Sequence, residues 1–262
     1  MDLPIEIVSL VLDEIPSDNE RFAIKLHLCK SLRSVRTGHV SISVSGGEIP
    51  AWALREFLGR ANISIERIQS LLVDTGSLDA WMRCSSEHPK LLPTTPDIAA
   101  RIAEHGHLEM LMWARANGCD WDLLTCVNAG KNGHLEVLKW ARANGCERDE
   151  WTCARAAMNG HLEVLKWACA NGSLQASCIS VVCENAAYGG HLQVLQWARA
   201  NGCPWNKWTC VGAAHGGHLK LLQWARTNGC PWDSGTIAAA EETGHMDVAS
   251  WAIDNGCPIP TW

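Results

Sequence analysis

An all-α fold, a solenoid of helical hairpins preceded by a small helical module, follows from three observations in the 262-residue sequence. Gly-His pairs at Gly106, Gly133, Gly160, Gly190, Gly217 and Gly244 are spaced by 27, 27, 30, 27 and 27 residues. Trp followed by Ala keeps that interval at Trp113, Trp140, Trp167, Trp197, Trp224 and Trp251, and Asn-Gly closes each unit at Gly118, Gly145, Gly172, Gly202, Gly229 and Gly256. A fixed period of this length marks a tandem array in which each unit buries its apolar face against its neighbours.

The period also explains the composition. Of the aromatic residues 14 are Trp, 2 are Phe and 1 is Tyr, a skew that an ordinary core does not produce. Six Trp copy the Trp-Ala position, Trp121, Trp205 and Trp232 copy a second, and Trp151 and Trp208 copy a third. Apolar residues make up 47%, which fits a folded chain and not a disordered one. Met1 to Pro16 is acidic, and nowhere do 18 apolar residues run together, so neither an export signal nor a membrane span is expected. The net charge is −6 and the Lys and Arg are scattered, which argues against nucleic-acid binding. Thirteen Cys without an export signal read as reduced thiols of an intracellular, cytoplasmic or nuclear protein.

Within each unit the sequence predicts two short helices. Thr125, Thr152, Thr209 and Thr236 lie eight residues before a repeat Gly, where a side-chain oxygen is expected to cap the first helix. Small residues such as Ala156, Ala157, Ala213 and Ala214 suit close helix packing, and Gly160 supplies a left-handed end. The second helix is expected to begin near His161, with Leu162, Val164, Leu165, Trp167 and Ala168 as its apolar stripe. Glu163 and Lys166 should face outward as an i, i+3 pair, and Asn171-Gly172 should end the helix. Helices of two to three turns are unstable alone in water, so the units must stack.

These residues resemble the ankyrin repeat. Its Thr-Pro-Leu-His-x-Ala-Ala-x-x-Gly-His stretch is matched at Thr152, Ala156, Ala157, Gly160 and His161, and its second helix is similar to His161 through Lys166. The resemblance covers residues 97 to 262 as six units. The Pro-Leu-His tripeptide is replaced by Cys126-Val127-Asn128, Cys153-Ala154-Arg155 and Cys210-Val211-Gly212, and the unit is about six residues shorter than the ~33 of the ankyrin family. The missing residues fall between Gly145 and Thr152, where ankyrin repeats project a β-hairpin finger, so the finger is expected to be truncated to a turn. Only the unit spanning Ser173 to Cys183 is longer, by three residues.

Residues 1 to 40 carry Leu3-Pro4-x-Glu6-Ile7, Val11-Leu12, Ile15-Pro16 and Leu28-Cys29-Lys30, followed by Leu32-Arg33. This pattern resembles an F-box, with a spacing departure after Asp18 and Leu32 in place of the usual Trp. The resemblance implies docking of the small adaptor subunit of a cullin-RING ubiquitin ligase through Leu3, Pro4, Ile7, Val11, Leu12, Ile15, Pro16, Leu28 and Cys29. The alternative is that these helices only cap the solenoid, leaving a stand-alone binding or decoy module. Residues 41 to 96 read as a linker or as degenerate helical repeats, with helices expected around Trp52 to Arg60, Ser64 to Leu72 and Leu78 to Cys84.

Catalytic and metal chemistry find no support in the sequence, and no cofactor is expected. The Cys lack the Cys-x2-Cys spacing of zinc sites, Cys119 and Cys126 with their copies are separated by six residues, and equivalent Cys of adjacent units are too far apart to bond. A catalytic His acts at one place, whereas the Gly-His histidines repeat six times, and each is expected to bond backbone at the turn. Function is therefore expected at exposed first-helix positions that the units do not share: Arg101, Glu104 and His105; Asn128, Lys131 and Asn132; Arg155, Met158 and Asn159; Glu184, Asn185 and Tyr188; His215; and Glu242 and Thr243. The expected role is a protein-protein interaction scaffold and not an enzyme.

Overall fold

The computed structural model describes residues 65–87, 89–147, 150–171 and 176–259. The F-box-like segment from Leu3 to Cys29 and the helix expected at Trp52 to Arg60 lie outside these residues. The chain divides into two compact units between Asp120 and Trp121, each taken by itself below.

In the first unit α1 (Ile65–Thr75) and α2 (Leu78–Glu87) form one hairpin, and α3 (Pro96–Glu104) and α4 (Leu108–Ala116) form another, with α1 packed against α3. A 3-10 turn at Pro89–Leu91 joins them. Trp81, fully buried, donates its indole N–H to the Leu91 carbonyl at 2.7 Å and meets the Trp113 ring at 5.8 Å. Gln69 donates to the Leu92 carbonyl at 2.9 Å. These bonds fasten the connecting segment to the α1–α2 hairpin.

The second unit repeats one motif five times: α5 (Leu123–Lys131) with α6 (Leu135–Ala143), α7 (Glu150–Met158) with α8 (Leu162–Ala170), α9 (Ala176–Tyr188) with α10 (Leu192–Ala200), α11 (Lys207–His215) with α12 (Leu219–Thr227), and α13 (Ser234–Glu242) with α14 (Met246–Asp254). The first helices pack side by side in chain order, α5 on α7, α7 on α9, α9 on α11 and α11 on α13. All the described regular structure is helical, and the described loops between units, such as Cys203 to Asn206 and Cys230 to Asp233, form no strand. The three extra residues of the long unit accompany a first helix of 13 residues in α9, against 9 in α7 and α11.

On α8 the expected apolar stripe divides, with Leu162 and Trp167 only half-buried. Val164, Leu165 and Ala168 are buried, as are Val137, Leu138 and Ala141 or Leu221, Leu222 and Ala225 in their neighbours. Burying one such Leu or Val side chain contributes about 1.5–3 kcal/mol, which is how nine-residue helices become stable in a stack. Glu163 and Lys166 pair outward at 2.7 Å.

The first helices begin earlier than the Thr pattern predicts. Asp122, Asn206 and Asp233, three residues before Thr125, Thr209 and Thr236, cap them by accepting from the N–H of Leu124, Trp208 and Gly235. The acidic or amide side chain outcompetes Thr because it reaches the backbone N–H two residues on without entering the helix. The Thr are instead buried inside the helices, where their methyl groups fill the space left by small residues. A Cβ at Gly130 would come within 2.6 Å of Thr152 Cγ2.

The Gly-His pair works between units. Gly133, with φ of 76°, lies under the ring of His161 one unit on, and a Cβ there would sit 2.5 Å from Nδ1. Gly217 holds His245 in the same way. His218 Nε2 meets the Tyr188 carbonyl at 3.1 Å and His191 bonds the Met158 carbonyl, both at the end of the preceding first helix. At these two positions the imidazole closes a neighbour's helix end, and the contact of Gly with a His ring recurs at Gly160 and Gly190.

Candidate interaction surface

Two sets of Trp behave differently in this scaffold. Trp121 meets Trp140 edge to face at 5.6 Å, Trp205 meets Trp224 at 5.8 Å and Trp232 meets Trp251 at 5.9 Å, each pair joining a loop to the second helix of the following unit. Arg199 lies over Trp205 at 4.3 Å and Arg226 over Trp232 at 4.1 Å. These rings are committed to packing. By contrast Trp151 is 60% exposed and Trp208 51% exposed, both at the position immediately before the buried Thr. Leu124 occupies that position on α5 and is also exposed.

Because the first helices lie side by side, Leu124, Trp151 and Trp208 share one register of that layer. Exposed large apolar groups so placed mark an interaction site more often than isolated surface Leu or Met. Beside Trp151 a cavity of about 210 Å³ opens between α7 and α9, lined by Trp151, Arg155, Met158, Glu184, Asn185 and Tyr188. Burial pushes the Glu184 carboxyl above its ordinary value. Tyr188 extends the wall by stacking on His215 of α11 at 4.8 Å. Lys207 Nζ stands 5.3 Å from the Trp208 ring and pairs with Asp233 at 2.7 Å.

The structure brings Arg155, Met158, Asn185 and Tyr188 to one cavity and places His215 against it through Tyr188. Asn159 is exposed at the end of α7, where its amide donates to the Arg155 carbonyl at 2.9 Å. Asn128, Lys131 and Asn132 are half-buried on α5, with Asn132 donating to the Asn128 carbonyl. Arg101, Glu104 and His105 belong to α3 and its end in the first unit. There Arg101 forms a two-pronged pair with Asp74 at 2.7 and 2.9 Å, and His105 lies 3.4 Å from the same carboxylate.

Sequence reasoning overlooked Trp151 and Trp208, whose signal was their place before the Thr, on the polar side of a helix whose opposite side is buried. Glu184, by contrast, stands among the variable first-helix positions that the sequence singles out. Among the described residues no group of three or more His, Cys, Asp or Glu is arranged to hold a metal ion, and no helix is long and apolar enough to cross a membrane. What the surface offers is aromatic area, one half-buried carboxyl and a cationic rim.

No protein-family profile matches the chain, and no curated protein matches it. Among solved structures the human ASB11 ankyrin repeat domain is similar, with a TM-score of 0.47 and 16% sequence identity over 61% of this chain and 83% of that one.

Proposed function

We propose that this protein is a non-enzymatic interaction scaffold of the ankyrin type that grips a protein partner along its first helices, centred on the cavity between α7 and α9. The observation that carries the reading is the exposure of Trp151 and Trp208 in a scaffold where Trp121, Trp205 and Trp232 each pack against a second-helix Trp. Trp, Tyr and Arg dominate binding energy at protein interfaces, and Trp151, Tyr188 and Arg155 converge here. Glu184 and Asn185 supply the few polar groups that would fix orientation. Capturing partners on the full chain and on the variant Trp151→Ala/Tyr188→Ala, with melting temperature as a folding control, tests the reading. Loss of a partner from the folded variant supports it, and an unchanged set of partners sinks it.

The finer reading adds that residues 1 to 40 dock the small adaptor of a cullin-RING ligase, so that the repeats present a substrate. Its support is the order of the two segments and the Leu3-Pro4, Val11-Leu12, Ile15-Pro16 and Leu28-Cys29 pattern. The irregular spacing after Asp18 favours the second reading, a stand-alone binding or decoy module whose N-terminal helices serve only as a cap. Binding of purified adaptor to the full chain, and its loss in Leu3→Ala/Pro4→Ala/Ile7→Ala, separates the two. An adaptor that ignores the wild-type chain leaves the stand-alone module.

A further inference from the structure

The Cys fall into pairs that adjacent-position arithmetic misses. Cys126 and Cys146, Cys183 and Cys203, and Cys210 and Cys230 are each 20 residues apart, one on a first helix and the other in the loop that follows the second helix of the same unit. The hairpin folds the chain back so that Cys126 Sγ and Cys146 Sγ lie 2.8 Å apart, both buried. The Cys183 thiol reaches the Cys203 carbonyl at 4.0 Å, and Cys210 and Cys230, both buried, occupy the equivalent positions of the next unit. A disulfide places its sulfurs at about 2.0 Å, so the first pair needs an approach of under ~1 Å. Two thiols are too few for a zinc site, which takes four ligands.

We propose that these three pairs are sites of intramolecular disulfide formation, each joining a first helix to the loop that ends its own unit when the protein meets a hydroperoxide-class oxidant. The two members of a pair are unequal. Cys146 accepts from the Cys126 thiol, and Arg142 donates to the Cys146 carbonyl from the previous turn. Both hold the Cys146 thiol below its ordinary value, while Cys126 is pushed up by its bond to Cys146 and by burial. Cys203 with Arg199, and Cys230 with Arg226, repeat the arrangement. A loop Cys with thiolate character is the attacking nucleophile. The loop Cys is buried, while the residues flanking it, Gly145 and Glu147, Gly202 and Pro204, and Gly229 and Pro231, are exposed.

The chemistry balances with the peroxide as the only co-reactant. The Cys146 thiolate attacks one peroxide oxygen, the O–O bond breaks, and the leaving hydroxide takes up the Cys146 proton as water. Cys126 then attacks the sulfenic sulfur, the S–O bond breaks, and that hydroxide leaves as a second water with the Cys126 proton. Two thiols lose two electrons to one peroxide. The product staples a hairpin and restricts its unfolded chain, so oxidation should stabilise the second unit. Ala99 and Ile237 stand 20 residues before Cys119 and Cys257, which makes those two Cys internal controls. Burial moreover pushes the Cys119 thiol up to about 11.

The proposal is independent of the interaction reading. It is tested on the reduced full chain treated with graded hydrogen peroxide, then unfolded, alkylated and mapped by mass spectrometry. The expected result is a mass loss of about 2 Da per bond, with Cys126–Cys146, Cys183–Cys203 and Cys210–Cys230 peptides, and Cys119 and Cys257 still alkylated. The melting temperature should rise by several degrees and return with dithiothreitol. Cys126→Ala should remove one link and leave the other two, and wild-type mapping stands alone if that variant does not fold. The proposal is overturned if the six thiols are still free once exposed Cys169 is oxidised, or if the bonds join Cys of different pairs.

Discussion

The second helices and the exposed face of the first helices are made from the same residue type to opposite ends. On the second helices Trp140, Trp224 and Trp251 each meet a ring from the preceding loop, and their surroundings repeat from unit to unit. On the first helices Trp151 and Trp208 stand in solvent, while their counterpart on α13 is Gly235. Repetition in sequence therefore divides into two physical classes. Trp121, Trp205 and Trp232 recur where a second-helix ring receives them, whereas Trp151 and Trp208 recur with more than half of their surface in solvent.

The comparison is broken most directly by removing one ring of each class. Trp224→Ala takes away the partner of Trp205 and should cost about 3 kcal/mol of stability, read as a lower midpoint in urea unfolding. Trp208→Ala should shift that midpoint by under ~0.5 kcal/mol, since an exposed ring leaves no cavity. Equal losses in the two variants would erase the distinction. A smaller effect is expected at Asp233, which accepts the Gly235 N–H at 3.0 Å and pairs with Lys207. Asp233→Ala should cost about 1 kcal/mol, chiefly through the lost cap, because exposed ion pairs contribute little. The Lys207 ammonium holds the Asp233 carboxyl below its ordinary 3.8. Its contribution is thus full above that pH and fades as acid protonates the folded form. A variant with the wild-type unfolding midpoint at pH 7 would assign the helix start to other groups.

The repeat, its helices and the Gly-His turns were legible because each depends on residues within a few positions of one another, where periodicity and helix geometry suffice. The F-box-like pattern is legible as a motif alone. The Cys pairing was hidden because Cys126 reaches Cys146 only after the hairpin between them has formed. A spacing of 20 corresponds to no single helix or strand face. The sequence favours Thr125 as the cap because Thr is a good N-cap residue at a plausible distance from the repeat Gly. Asp122 is better placed, and the burial of Thr125 depends on a neighbouring unit. Trp151 escaped notice for the reverse reason: a copied Trp looks like packing until its neighbours are known to be absent.

The smallest expected effect lies at the imidazole between units. His191 bonds the Met158 carbonyl, and a Cβ at Gly160 would meet its ring at 2.5 Å, so the half-buried ring is shielded on that side. Burial first, and then the rings of His218 and His161 in the flanking units, hold its pKa below the ordinary 6.5. The sign follows from linkage: the unfolded chain binds the proton more readily than the folded one, so stability is full above that value and declines as pH falls below it. The loss stops growing once the folded imidazole is itself protonated. His191→Gln keeps a side chain able to donate to the carbonyl but cannot titrate. It should therefore show a shallower fall in melting temperature between pH 7.5 and 5 than the wild type, with the two slopes alike above pH 7.5. Parallel curves throughout that range would mean that the stack carries a proton at His191 without penalty, and that the ring is held by shape alone.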